Sequence, residues 1–364
     1  MPNDVQEAPV SQRSAYAVRP TVFVDGQQRA DVHASLRTCV VSEQEGGMSS
    51  LSLCLSNWGV ASGSVGFLFD AGGPLQLGTR LKVYFGETSS PCGLFEGDVH
   101  AIEARGSVGT PPELVLLAED ELFALRCARR TAFYESQAVG DLVQAIAGNH
   151  GLQCDLGDLP GGGAGSGNWA QLNESDLAFL RRVLARHDCD LQVSGRTLQV
   201  RRCGEGDRGT LSLALYSQLQ QVRVIADLAQ QVSAVTASGF DVAGGSAFTA
   251  TGSGVHLGAG SGTTGADLLP GSRSEHLGGP AATHQAEAQA LVDAAFDQRA
   301  RRFVRLAGST EGNPALRVGT RLRISGIGQR FDNSYDVIEA HHRFDQSHGY
   351  RTDFTAQSAY LAQP

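Results

Sequence analysis

Four groups of residues in this sequence have the types that carry chemistry: the pair His341-His342, the run Asp188-Cys189-Asp190, the fragment HQAEA beginning at His284, and the loop GGGAGSG from Gly161 to Gly167. A metal centre needs imidazole or thiolate ligands that converge on one point. His341 and His342 fall on an expected strand, where neighbours point to opposite faces, so the two cannot chelate one ion. HQAEA lacks the second histidine of a metal-binding HExxH helix and reads as helix surface. Asp188 and Asp190 sit at an expected helix exit, where short acidic side chains serve turns. GGGAGSG lacks the Gly-Lys-Ser/Thr ending that grips phosphate and does not lie between a buried strand and its helix, so it reads as a linker. No serine has glycine both two before and two after it, which removes the nucleophile elbow of the hydrolases. The seven cysteines (Cys39, Cys54, Cys92, Cys127, Cys154, Cys189 and Cys203) are odd in number and never spaced CxxC. That usage suits reduced core thiols made in a cytoplasm, not a disulfide framework or a zinc site. Spacing alone leaves a thiol nucleophile open, yet nothing else supports one. The sequence therefore assigns no catalytic residue, no cofactor and no metal ligand, and points to a binding or building role.

The bulk numbers agree. The chain has 364 residues, long for one core, and a net charge of −9. Two to four structural units are expected. An acidic balance argues against gripping phosphate backbones, so nucleic acid is not an expected partner. Lys82 is the only lysine, and the arginine bias fits a GC-rich genome better than a special use of its bidentate fork. No apolar run reaches membrane-spanning length, and the first residues have neither the basic nor the apolar region of a secretory signal. Synthesis in the cytoplasm without membrane insertion is expected.

The elements that must carry any function are mostly strands. Residues 1–18 are polar and without period, a flexible N-terminal arm. Over 19–132, short alternating runs such as SSLSLCLS (Ser49 to Ser56) and GTRLKVYF (Gly78 to Phe85) are separated by turn signals, which predicts a small antiparallel β-barrel. Residues 133–208 change texture. Val139, Leu142, Val143 and Ile146 mark one helix, with Ser136 as its expected cap. Leu177, Leu180 and Leu184 mark a second helix, capped by Asn173 or Ser175, and a hairpin at Ser194-Gly195 follows. Residues 209–240 and 315–360 predict a second barrel, split by an insertion at 241–314 made of a Gly/Ser-rich loop or arm and then a helix. The fold class is thus mainly β with α+β insertions, with two similar barrels in a multi-domain chain.

The two barrels echo each other. GTRLKVYF returns as GTRLRISG at Gly319 to Gly326, and FEGDVHAIEA (Phe95 to Ala104) returns as FDNSYDVIEA (Phe331 to Ala340), with Phe, Ile, Glu and Ala in the same order. Two anchors in the same order indicate a remote internal duplication. Arg80 and Arg321 occupy the same place in the two copies and are expected to face one partner or lumen, or else solvent.

Two phrases carry a family likeness. QLNESDLAFLRRVLARHDCDLQVSGRTLQV resembles the helix-and-hairpin hallmark of the late control D family of contractile phage tails and of VgrG-type proteins, with Glu174, Ser175, Asp176, Phe179, Leu180 and Arg182 in the motif places. The end of the chain is similar to that family's closing pattern at His342, Gly349, Tyr350, Thr352 and Phe354. The resemblance spans about residue 20 to 360. It implies a central baseplate hub of a phage tail or contractile injection system, with duplicated barrels. The hub would be a homotrimer between a hexameric inner tube, or tube-initiator proteins, and a trimeric spike, with baseplate wedge proteins as further partners. VgrG-type chains continue into a spike, whereas this sequence stops at Pro364, so a separate spike protein is expected. The rival expectations are a tail-associated cell-wall hydrolase, which needs paired carboxylates in a cleft, and a glycan-binding β protein, which needs aromatic platforms beyond Trp58 and Trp169.

Overall fold

The computed structural model describes residues 4–5, 19–61, 63–70, 72–85, 92–157, 159, 167–205, 208–278 and 282–363. Most of the 1–18 arm and the 161–166 part of the glycine-rich link lie outside these. Of the arm, Asp4–Val5 forms a short parallel strand beside Thr210 and Leu211.

The first unit comprises β1 (Thr21–Val24), α1 (Ala30–Ser35), β2 (Leu36–Gln44), β3 (Ser50–Ser56), β4 (Arg80–Phe85), β5 (Cys92–Ser107) and β6 (Thr110–Glu119). Its strands alternate as a half-buried sheet must. In β4, Leu81, Val83 and Phe85 are buried and Arg80, Lys82 and Tyr84 are not. The inward residues share one core with Val32 of α1.

A compact module follows: α2 (Leu122–Cys127), β7 (Arg129–Gln137), α3 (Val139–Asn149), β8 (Gly167–Ser175), α4 (Asp176–Ala185), β9 (Cys189–Ser194) and β10 (Thr197–Arg202). The expected stripes, Val139, Leu142, Val143 and Ile146 on α3 and Leu177, Leu180 and Leu184 on α4, bury into its own core. Ser175 caps α4, its Oγ accepting the Ala178 N–H at 3.2 Å. Ser136 caps nothing: its φ is +52°, and α3 starts three residues later, at Val139, behind Ala138. The β7–β8 ribbon was not anticipated.

The second unit begins with β11 (Thr210–Ala214) and β12 (Leu219–Ala226). The chain then leaves it for β13 (Ala234–Asp241), β14 (Ser246–Gly252) and α5 (Gln285–Arg301), and returns as β15 (Val304–Glu311), β16 (Arg321–Ser325), β17 (Asn333–Asp345) and β18 (Gly349–Ser358). The two units have the same strand order: β1–β4–β5–β6–β3–β2 in the first and β11–β16–β17–β18–β15–β12 in the second. One step differs, since β1 is antiparallel to β4 whereas β11 is parallel to β16.

Three sequence expectations need correction. Neither barrel closes by strand pairing among the described residues. Both units belong to one 14-stranded sheet, and α1 packs between β1 and β3. The Gly/Ser-rich stretch begins as part of a hairpin, β13–β14, with α5 laid against it. Its small residues serve close packing, because a Cβ at Gly252 would lie 2.4 Å from the Val292 carbonyl oxygen. Finally, the place of β3 in the second unit is taken by β15, which lies inside the expected insertion 241–314. Gly308 hides this strand from the sequence, yet it is needed, since a Cβ there would meet the Phe354 ring at 2.7 Å.

Candidate functional site: the seam between the repeated units

The repeat is exact at its turns. Gly78 and Gly319 have φ of +84° and +86°. Thr79 Oγ1 accepts the Gln76 N–H at 2.9 Å and Thr320 Oγ1 accepts the Arg317 N–H at 3.1 Å. Val99 N–H then donates to the Thr79 carbonyl and Val337 N–H to the Thr320 carbonyl, each at 3.0 Å. Bulges recur in equivalent places, between Leu36 and Thr38 and between Leu219 and Gln221, and again after Val99 and after Val337. This corrects the second sequence anchor: Asp98-Val99 matches Asp336-Val337, two residues away from the match suggested by the shared Ile-Glu-Ala.

The structure places Arg80 and Arg321 equivalently, 3.2 Å from Asp98 and 3.4 Å from Asp336. Arg80 also reaches Glu96 and Glu121, at 2.9 and 2.7 Å.

β17 joins the units. Its first residues pair with β16, and Glu339 to Asp345 run on to pair with β2, from Gln44 to Thr38. The adjacent histidines diverge as strand geometry requires. His341 lies outward, with Nδ1 2.9 Å from Ser42 Oγ and Nε2 2.9 Å from Glu339. His342 is fully buried, with Nδ1 2.8 Å from the Tyr350 hydroxyl and 3.2 Å from Thr352 Oγ1. The Tyr350 ring stacks on Phe85 of the first unit at 4.1 Å. Beside them, buried Glu43 accepts from the Arg317 guanidinium and from the Val318 N–H. Burial pushes Glu43 up, but Arg317 and Arg208 outweigh it and hold the carboxyl below its usual range. Burial pushes His342 down to about 4. The closing motif is thus seam architecture, a role sequence spacing could not reveal because its partners lie about 300 residues away in the chain.

The first motif is architecture as well. Asp176, 2% exposed, accepts from Gln171 Nε2 and lies 2.8 Å from His150 Nε2, while Arg182 pairs with Glu174. Asp188 and Asp190 have separate partners. Asp188 accepts from buried Arg301 of α5 at 2.8 Å, and Asp190 accepts the Gly46 N–H of the first unit at 2.5 Å. Burial, with Asp190 nearby, pushes Glu45 up to about 7, and burial pushes Asp190 up to about 6. These carboxyls hold protons more tightly folded than unfolded. Stability is therefore reduced above about pH 7 and regained as pH falls toward the unfolded carboxyl range, while neutral His342 costs stability below about pH 6.5. The thermal midpoint is expected to rise from about pH 8 to about pH 6 and to fall below about pH 5. Glu45→Gln should flatten the alkaline limb, adding about 2 kcal/mol at pH 8. Calorimetry across pH would contradict this if the midpoint fell steadily on acidification.

Among the described residues, no group of three or more His, Cys, Asp or Glu is placed to hold a metal ion, and no helix is long and apolar enough to cross a membrane.

No curated protein matches the sequence. Solved structures share the fold. A 43 kDa tail protein of prophage MuSo2 from Shewanella oneidensis superposes with a TM-score of 0.68 at 12% identity, covering 93% of this chain and 98% of that one. A tail protein from Neisseria meningitidis gives 0.68 at 12% identity, covering 95% and 100%. An E. coli type VI secretion component, described as similar to the T4 tail proteins gp27 and gp5, gives 0.56 at 14% identity, covering 94% and 79%. In sequence, the family described as the Alg8 N-terminal domain matches residues 17–346, most of the length. The chain belongs to the Alg8 N-terminal domain family.

Proposed function

We propose that this protein is the central baseplate hub of a phage tail or a contractile injection system, a homotrimer that adapts a six-fold inner tube to a three-fold spike. One observation carries the reading: two units of the same strand order, with bulges at equivalent positions, are joined edge to edge in one sheet. Three such chains offer a tube six similar surfaces while keeping the symmetry of a spike. The tail-protein fold of its structural neighbours supports the same role. The expected partners are a trimeric spike, the inner tube or its initiator proteins, and baseplate wedge proteins. Arg80 and Arg321, fixed by equivalent aspartates, would present equivalent loops around that ring. The role is non-enzymatic, with assembly in the cytoplasm before the particle is completed.

Light scattering of the purified chain is expected to give the mass of three chains, and with its spike partner the mass of three chains seated on the spike. A persistent monomer in both samples would overturn the proposal, as would release of soluble fragments from purified peptidoglycan.

A further inference from the structure

The seam inside the chain has an unused counterpart. One edge of β17 pairs with β18; along the other, Asn333 to Asp336 pair with β16 and Glu339 to Asp345 with β2. Its equivalent in the first unit is β5. One edge of β5 pairs with β6, and on the other Cys92 to Asp98 pair with β4. Among the described residues, Ala101 to Ser107 meet no strand on that second edge. The equivalent of β2 is β12, which pairs with β15 and, among the described residues, with nothing opposite it.

Burial tells the same story. Ala340, His342 and Phe344 are buried by the seam, whereas their counterparts Ile102, Ala104 and Gly106 are exposed. Cys39, Val41 and Glu43 are buried, whereas Val222 and Val224 are half-buried and Ala226 is exposed. Ile102 and Ile225 are 37% and 47% exposed, although both lie in strands. Unpaired edges of this kind invite another strand, and the two complementary halves lie far apart in the strand order of one chain.

We propose that β12 of one copy adds antiparallel to Ala101–Ser107 of the next copy, repeating the β2–β17 seam between chains. The occupant is a second copy because the same sequence already makes this seam once. The equivalences fix the register. Val99 matches Val337 and Leu36 matches Leu219, so the pairs Asp345–Thr38 and His342–Val41 become Ser107–Gln221 and Ala104–Val224. A head-to-tail contact makes rings or open filaments and not isolated pairs; closure at three chains rests on the hub reading.

The second seam differs in chemistry. The counterparts of buried Glu43 and His342 are Ala226 and Ala104, so it has neither the buried ion pair nor the imidazole. On its outer face Arg105 would lie opposite Arg223 of the next copy, a repulsive pairing on its own. Glu103, 2.8 Å from Arg105, lies diagonal to that Arg223 and offsets the repulsion. The Glu103 carboxylate thus selects the register.

The test uses the full chain. Ser107→Cys with Gln221→Cys, both exposed positions, is expected to form a disulfide between copies under mild oxidation, mapped by peptide mass spectrometry, while Ser107→Cys with Ile225→Cys should not. Glu103→Arg is expected to reduce the assembled fraction at least tenfold and leave the melting of the single chain unchanged. A three-chain particle lacking the 107–221 disulfide, or indifferent to Glu103→Arg, overturns this seam and leaves the hub standing. A chain that never associates overturns both.

Discussion

Arg301→Leu is expected to lower the unfolding free energy by about 3–5 kcal/mol, the largest loss from any single side chain where α5 joins the module. The Arg301 and Asp188 side chains are only 3% and 5% exposed, and the guanidinium also donates to the His256 carbonyl at 2.8 Å. It therefore ties the end of α5, the module and the 256 loop at one point. Removing it leaves Asp188 buried without a charge partner, and burial already holds that carboxyl above its usual range. The variant relieves itself by taking up a proton, so its loss should be smaller at pH 5 than at pH 8. Asp188→Leu combined with Arg301→Leu removes both charges and should recover most of the loss. Urea unfolding of the two variants beside the unsubstituted chain decides this. A single-variant loss below about 1 kcal/mol would show that the joint is not held by this pair.

Gly312→Val is the second large effect. A Cβ at Gly312 would lie 1.9 Å from Cδ1 of Tyr350. That ring has nowhere to go, since it stacks on Phe85 and its hydroxyl meets His342. Either the loop before β16 lifts or the ring leaves the seam. The expected loss is about 3 kcal/mol or more, with reduced soluble yield. Even Gly312→Ala should cost over about 1 kcal/mol, and Tyr350→Ala should remove most of that added cost when the two are combined. Gly148→Ala is the control: it lies in α3 with nothing within 4 Å of the new Cβ and should be neutral or stabilising. Thermal melts of this set would contradict the account if Gly312→Ala behaved like Gly148→Ala.

Much of the fold was legible because local periodicity reports burial directly. The alternation of β4 and the stripes of α3 and α4 are buried faces written into the sequence. The repeat was legible at GTRL because a positive-φ glycine and a buried threonine are both needed to build the turn. It was misread one step later, where Ile-Glu-Ala recurs two residues out of register across a bulge. The strands keep their bulges while the connections before β5 and β17 differ in length, and only pairing partners reveal it. The β13–β14 hairpin was hidden because glycine there means close helix contact and not chain freedom. The seam itself was out of reach, since β2 and β17 are brought together only by the completed sheet. His341 and His342 illustrate the limit: strand parity separated their faces, but nothing local showed that one would touch Ser42 and the other Tyr350.

The central claim is that two look-alike units in one chain let a three-membered ring mate with a six-membered one. Its most direct test is an electron-microscopy image of the assembled chain viewed down its axis. The account predicts three-fold symmetry with six similar lobes, the Gly78 and Gly319 turns alternating at one radius. Any other rotational order, or turns of the two units lying at clearly different radii, would contradict it.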